Sequence, residues 1–289
     1  MPLPLLQRRL IFVTGKGGAG KTTVARALGM VAAQQGLRTI VADMNGAGDQ
    51  HEHELGPNLF TLSIDPQRAM EEYLAVKVRG PAAAVLSHSR LFAAFAMATP
   101  GMRELLSLGK VWELAQHSRR TVGGVPYDLT IVDAPASGHG AAILRTPRTF
   151  AEIAKVGPIA NQANRIAETL HDPDFTAIVA VAIPEELAVA ETLELHEALL
   201  RERLDLAAVV LNGCHPARFS EADLKLLRPL AHQPSVRVAL AANTRAELER
   251  EQSARLQEHF GERIQRLPYL FVPALGQDEL RVLGEELTR

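Results

Sequence analysis

The fold is decided by Leu10-Ile-Phe-Val-Thr14, which runs straight into Gly15-Lys-Gly-Gly-Ala-Gly20-Lys21-Thr22. A short apolar run closed at once by glycines is the pattern of a buried parallel strand feeding a turn. The glycine stretch fits G-x-x-x-x-G-K-[ST]. Behind it, Thr22 to Gln35 carries Val24, Ala27, Leu28, Val31 and Ala32 at helical spacing and ends at Gly36, the expected C-terminal cap. Strand, loop and helix in this order make a phosphate cradle. Gly15, Gly17, Gly18, Ala19 and Gly20 let successive backbone N–H groups curl round an anion, and the helix adds its positive N-terminal end. Lys21 then reaches the β and γ phosphates, the Thr22 hydroxyl ligates Mg2+, and Thr23 contacts the α-phosphate side. The expected ligands are ATP or ADP with Mg2+.

Further strand-like runs lie at Arg38 to Ala42, Leu59 to Ile64, Leu129 to Val132, Thr176 to Ile183, Ala207 to Leu211 and Arg266 to Val272. Helical patterns separate them. Asp65-Pro66 reads as an N-cap and first-turn proline for a helix over 67–78. Glu185 to Leu204 reads as a longer helix with Leu187, Ala190, Leu193, Ala198 and Leu199 inward. Strands alternating with helices predict an α/β fold, a parallel sheet with helices on both faces. Pro81 to Thr121 breaks the rhythm with helical periodicity alone, so one domain over 1–289 is expected to carry a helical subdomain at about 66–121. Ser220 to Arg263 is again helical, cut by Pro229 and Pro234, and a helix over Gln277 to Leu287 follows.

Composition limits the function classes. The 289 residues are 47% hydrophobic and 22% charged, within the range of a globular protein. Lys+Arg 31 against Asp+Glu 33 leaves a formal charge of -2, so no global positive field draws the chain to nucleic acid or anionic lipid. Cys214 stands alone, which excludes a disulfide framework, an iron–sulfur ligand set and a thiolate zinc site within one chain. Met1 to Arg9 leads directly into the first strand, and Leu91 to Met102 is short of the ~20 residues that span a bilayer. A cytoplasmic protein that meets membranes only indirectly is expected.

A second lysine, Lys16, shares the eight-residue loop with Lys21, and its expected work is compensation of phosphoryl charge. Downstream, Tyr127-Asp-Leu-Thr-Ile-Val-Asp133 ends a buried strand on a carboxylate suited to hold the magnesium shell through water. The Ala-Pro-Ala-Ser-Gly138-His139-Gly140 loop that follows can report the γ-phosphate, although His139 reads equally well as a packed or solvated histidine.

The loop with two lysines resembles the deviant Walker A of the P-loop group that contains MinD, ParA, nitrogenase iron proteins and the ArsA ATPases. The Asp133 to His139 segment, with Ile143-Leu-Arg-Thr-Pro-Arg148, resembles the D-T-A-P-T-G-H…L-R-L-P-R block of the ArsA family. That family includes arsenite-pump ATPases and guided-entry ATPases for tail-anchored proteins. Ala180 to Thr192, with Pro184 and Glu191, is similar to the family's strand, proline and helix after the switch. The resemblance implies ATP hydrolysis by a dimer whose early lysine, here Lys16, reaches the partner's nucleotide. It also implies that Asn212 pairs with adenine and that Phe271-Val-Pro273 packs on it, while Asn212 before Gly213 also reads as a strand-ending turn.

Departures from the pattern narrow the expectation. One P-loop and one cysteine argue against arsenite transport, and no C-x-x-C pair is present to hold zinc between subunits. Where the family places S-T-D-P-A-H, this chain reads Val41-Ala-Asp43-Met44-Asn45-Gly46-Ala-Gly48. Strict alignment puts Met44 at the water-orienting position and Asp43 one residue early, so slow or partner-dependent hydrolysis is expected. The chain then suits a homodimer, or a heterodimer with another ArsA-family ATPase, with Asp43 and Asn45 in the first switch and Gly138 and His139 in the second. The competing readings are a MinD- or ParA-like positioning ATPase and a nucleotide-binding subunit that does not turn over. Acidic Asp278, Glu279, Glu285 and Glu286 oppose a basic membrane-binding tail, and no N-K-x-D motif selects guanine. His51 and His53 invite a metal reading, but a solvated switch segment accounts for them without a third ligand. Leu91 to Met97 with Met102, Leu105, Leu106, Leu108, Val111 and Trp112 makes an apolar, Met-containing region. It reads as core or, by the resemblance, as a groove for a hydrophobic helical client.

Overall fold

A computed structural model describes residues 4–45, 50–77, 98–121, 123–136 and 140–288. The strands are β1 (Leu10–Gly15), β2 (Thr39–Asp43), β3 (His53–Gly56), β4 (Leu59–Ser63), β5 (Leu129–Asp133), β6 (Thr176–Ala182), β7 (Ala208–Cys214) and β8 (Ile264–Pro268). They form one sheet in the order β3-β4-β2-β5-β1-β6-β7-β8. Every pairing is parallel except β3 with β4. The expected α/β architecture is present, with an antiparallel edge strand that the charged, exposed His53–Gly56 did not announce. The last strand lies two residues earlier than its apolar run suggested and stops at Pro268, which leaves Tyr269, Phe271 and Val272 exposed outside the sheet.

The helices are α1 (Lys21–Gln34), α2 (Pro66–Lys77), α3 (Met102–Ala115), α4 (Gly140–Ala154), α5 (Pro158–His171), α6 (Glu186–Arg201), α7 (Glu221–Leu227), α8 (Pro234–Phe260) and α9 (Gln277–Leu287). Their ends follow from local chemistry. Asp65 accepts the Arg68 N–H at 2.8 Å to cap α2, and Ser220 with Asp223 forms a capping box on α7. At the end of α1, Gly36 donates to Ala33 and Leu37 to Ala32, the Schellman pattern its glycine allows.

Side chains alternate across β1, and this builds two cores. Leu10 and Phe12 join Leu108, Trp112, Ile166, Val189 and Phe260 on the face covered by α3, α5, α6 and α8. Ile11 and Val13 join Val24, Leu28 and Leu283 beneath α1 and α9. The inward stripe of α6 is rotated from its apolar reading: Ala188, Val189, Thr192, Leu195, His196 and Leu199 are buried, and Leu187 is 61% exposed. Thr192 and His196 satisfy their polar atoms by hydrogen bonds, which lets them take core positions assigned to aliphatic residues. Helices α4 and α5, between β5 and β6, were not expected as helices, although α4 carries the Ile143 to Arg148 run quoted above, with Pro147 inside it.

Strand order fixes where a ligand can sit. β1 is flanked by β5 on one side and β6 on the other, so the chain winds away from it in both directions. The crevice beyond the carboxyl end of such a strand is where parallel α/β sheets bind ligands, and here it opens onto Gly15 and the glycine loop.

Candidate nucleotide site

The glycine loop is held by contacts that only glycine permits at two positions. Gly15 has φ 140, and a Cβ there would strike the Val181 carbonyl of β6. Gly20, the residue before α1, has φ 94, and its missing Cβ leaves room for the Asn212 amide. Asn212, near the end of β7, uses that room to donate to the Ala19 carbonyl at 2.9 Å. Ala19 donates to the Lys16 carbonyl at 3.2 Å, and the Lys21 ammonium donates to the same oxygen at 3.2 Å. Gly17 and Gly18 form the exposed top of the loop, and Thr23 is half-buried in the first turn of α1.

Beside the loop, the Thr22 hydroxyl donates to Asp133 Oδ2 at 2.5 Å. Asp133 is buried, and its Oδ1 has no hydrogen-bond partner among the described residues. Burial pushes this carboxyl above its ordinary range and the Asp43 charge adds to the rise, against the pull of Thr22 and Lys21. Burial likewise lowers the Lys21 ammonium, with Asp133 opposing. An orphaned carboxylate oxygen and a hydroxyl, both hard donors, fit an octahedral cation such as Mg2+ that keeps much of its water shell.

Asp43 is opposite Asp133 in the register of β2 and β5. Its Oδ1 accepts both the Asn45 backbone N–H at 2.8 Å and the Asn45 amide at 2.7 Å, a closed turn made by the D-M-N sequence. Met44 N–H donates to the Asp133 carbonyl at 3.1 Å, so the first switch begins clamped to β5. Gly46 and Gly48 of the first switch and Gly138 and His139 of the second lie outside the described residues. Of the second-switch loop, 134–136 and Gly140 are described: Ala134 N–H donates to the Val13 carbonyl at 3.0 Å, and Gly140 opens α4 so close to β1 that a Cβ would meet the Thr14 hydroxyl at 2.6 Å.

Two features escaped the sequence reading. Lys16 pairs with Glu191 of α6 at 3.3 Å within its own protomer. No local spacing in the sequence announces this pair, which joins residues far apart in the chain. Second, His215 stacks on Tyr269 with centroids 4.5 Å apart, Phe271 meets Tyr269 edge-on, and Arg218 lies over Phe271. Buried Glu249 of α8 fixes His215 through both its backbone N–H and its ring. This stack begins the loop carrying Pro273, which is exposed. Beneath it the Cys214 thiol is pushed up to about 11 by burial, with Glu249 adding, so it offers no thiolate at neutral pH.

Away from the loop, the described histidines form no metal site: no group of three or more His, Cys, Asp or Glu residues could hold an ion among the described residues, and His51 meets Arg68 at 3.3 Å. Leu91 to Met97 lies outside the described residues. In α3, Leu108, Val111 and Leu114 are buried in the core, whereas Met102, Leu105 and Leu106 line a cavity of about 160 Å3 with Met70 and Leu74 of α2 and Ile166 of α5. Among the described residues no helix is long and apolar enough to cross a membrane.

Comparison with known proteins agrees with this geometry. A sequence model of the anion-transporting ATPases matches residues 8–160 and 151–233. The chain is 32% identical over 236 residues to the ATPase BagA of Mycobacterium tuberculosis, covering 75% of this chain and 68% of that protein. It is 28% identical over 261 residues to the ATPase GET3 of Kluyveromyces lactis, covering 74% of each. The arsenical pump-driving ATPase of Acidiphilium multivorum is 27% identical over 247 residues, which span 74% of this chain and 40% of that longer protein.

Proposed function

From a chain that belongs to the ArsA-type family of anion-transporting ATPases, we propose a dimeric, Mg2+-dependent nucleotide switch that binds ATP in the Gly15–Thr22 loop and hydrolyses it slowly. The observation that carries the reading is the Thr22–Asp133 contact at the mouth of the loop, with the second Asp133 oxygen left without a partner. Backbone N–H groups of the loop and the Lys21 ammonium hold the phosphates, and Asn212 and Pro273 border the base. Thr22 and Asp133 hold the cation, which when bound supplies charge neutralisation at the phosphates.

The Asp43 carboxylate is the group nearest in sequence to the water-orienting position, and it is already occupied by Asn45. In-line attack is sensitive to displacements on the scale of about 1 Å, so a carboxylate held back in this turn makes hydrolysis slow or dependent on a second protomer. That protomer is a second copy or another family member. The cavity between α2, α3 and α5, with two methionines on its wall, has room for anchoring apolar side chains rather than a whole helix, and it is the place where a hydrophobic helical client of the subdomain over 66–121 would insert them. A soluble, cytoplasmic setting goes with this reading.

Titration calorimetry with ATP and Mg2+ tests binding, and steady-state phosphate release tests turnover. Saturable uptake with turnover well below about 1 per second is the expected outcome. Turnover near that value, abolished in Asp43→Asn, would remove the slow-ATPase reading; absence of uptake by folded protein would remove the whole assignment. ATP-dependent, detergent-free capture of a tail-anchored segment tests the client, and failure with several such segments removes it.

A further inference from the structure

Helix α3 carries a glycine where its packing asks for none. Met102, Leu105, Leu106, Gly109 and Glu113 fall on one face of the helix, and that face is a wall of the cavity of about 160 Å3 between α2, α3 and α5. Glycine inside a helix is less stable than alanine. Neither usual reason for one applies at Gly109: its φ is not positive, and a Cβ there would meet nothing within 4 Å. What the missing side chain leaves is room. A void of this size takes an apolar body of about six carbons, as an apolar cavity of about 150 Å3 takes benzene.

The cations on the cavity wall differ in their partners. Lys110 meets Glu72 at 2.7 Å and Glu113 at 3.6 Å. Arg120 makes no ion pair among the described residues; its guanidinium lies 4.4 Å over the Trp112 ring and donates to the Gln162 amide oxygen at 3.1 Å. Glu113 does not supply the missing anion, because its Oε1 is taken by Arg119 and its Oε2 faces Lys110. Burial and the like charge of Arg165 press on the Arg120 guanidinium, against Tyr73 and Glu113.

We propose that this cavity binds a small amphiphilic monocarboxylate, its apolar body against Met70, Leu105 and Ile166 and its carboxylate on Arg120. The guanidinium fork offers a carboxylate two parallel hydrogen bonds, and the Trp112 ring beneath it limits how far the fork can turn. The site shares no residue with the glycine loop and does not depend on the nucleotide reading. Side chains of a client entering the same room would compete with this ligand.

Trp112 is the chain's single tryptophan, so its fluorescence reports this cavity alone; calorimetry run alongside covers variants of Arg120, which touches the reporter. Titration of the full chain with hexanoate should give a saturable change with a Kd of about 1 mM or tighter. Hexan-1-ol, the same body without the charge, should bind about ten-fold more weakly, and hexylammonium should not bind. Arg120→Gln should bring hexanoate down to the level of hexan-1-ol and leave the alcohol unchanged, while Arg120→Lys keeps part of the preference. Gly109→Leu, which fills the room from α3, should weaken acid and alcohol together by about ten-fold or more. Equal affinities for acid and alcohol in the unaltered protein, a preference that survives Arg120→Gln, or hexanoate binding untouched by Gly109→Leu overturns the proposal. So does the absence of a saturable response up to about 10 mM. Uptake of ATP by the glycine loop is measured separately and stands or falls without these results.

Discussion

Asp133 and Glu113 are both buried carboxylates within one domain-sized sheet and helix layer, and their surroundings drive them in opposite directions. Burial raises Asp133, Asp43 adds to the rise, and one of its oxygens is left without a hydrogen bond. Burial works on Glu113 too, but Arg119 and Lys110 outweigh it and hold the carboxyl below its ordinary range. Glu113 Oε1 accepts from the Arg119 side chain at 2.8 Å, from the Arg120 and Thr121 N–H groups and from the Thr121 hydroxyl. Arg119, with a fully buried side chain, also binds Glu52, which takes the Tyr127 hydroxyl at 2.6 Å. The Glu113 cluster ties the chain before β3 and before β5 to α3, and although Glu113 Oε2 lacks a hydrogen bond it lies 3.6 Å from the Lys110 ammonium; Asp133 Oδ1 has no hydrogen bond among the described residues and stands beside a second carboxylate, Asp43. Perturbed groups in a cleft mark function when the missing partner is something the protein does not itself supply.

The comparison is broken most sharply by Lys21→Ala. Single-turnover ATP hydrolysis should fall by about 10²–10³-fold, because the lysine acts on developing phosphoryl charge, while thermal stability changes little. Equal losses of activity and stability would mean that the loop is a structural cluster like that of Glu113. The reverse experiment is Arg119→Ala, which takes from buried Glu113 its main cation, leaving only Lys110 at 3.6 Å, and from the more exposed Glu52 its ion-pair partner. Urea unfolding should show a loss of about 3–5 kcal/mol, with ATP affinity of the folded protein unchanged. A loss below about 1 kcal/mol would place the cluster in solvent-like surroundings.

Asp133→Asn separates the two sites by sign. A carboxyl raised in the folded state contributes stability that is fully present below its unfolded value and is lost as pH rises through the folded one. At neutral pH the ionised Asp133 therefore works against folding, and the amide should raise the melting temperature of the nucleotide-free protein. That gain should fade as pH drops toward the ordinary carboxylate range, and the added stability from ATP with Mg2+ should disappear in the variant. Glu113→Gln should do the opposite, lowering the melting temperature at neutral pH. A destabilised, nucleotide-free Asp133→Asn would show that Thr22 and Lys21 already balance the buried charge.

The sequence was legible where one element's pattern carries its own reason. Leu10 to Thr22 declared strand, loop and helix together, because the positive φ of Gly15, Gly18 and Gly20 is a local backbone demand, even though the close approaches that go with it, Gly15 to β6 and Gly20 to Asn212, involve distant chain. Gly36 and Asp65 marked helix ends by the same local logic. What stayed hidden depends on distant chain. The burial of Arg119 between Glu52 and Glu113 joins residues 67 and 6 positions apart, and no spacing announces it. The α6 stripe was misread because His196 enters the core with Asp205 and His259 as hydrogen-bond partners, which an apolar count does not include. The edge strand β3 was missed since its His53 and Glu54 face solvent on both sides, without the alternation that marks a half-buried strand.

The smallest expected effect comes from Asn212→Ala, and it divides the site itself. Its amide reaches the Ala19 carbonyl through the space left by Gly20, so the residue braces the loop from the far end of β7. Losing one such hydrogen bond should cost about 0.5–1.5 kcal/mol of stability. If the same side chain also pairs with the base along its N7 edge, the variant should lose affinity for ATP by more than for GTP, because adenine presents the N6–H donor beside the N7 acceptor there, which an Asn amide matches, whereas guanine presents two acceptors. Competition binding with the two nucleotides reads the difference directly. Equal losses would assign Asn212 to bracing alone and move base selection to the neighbouring His215–Tyr269 stack, whose ring faces hold any purine alike and would give the site little preference between adenine and guanine.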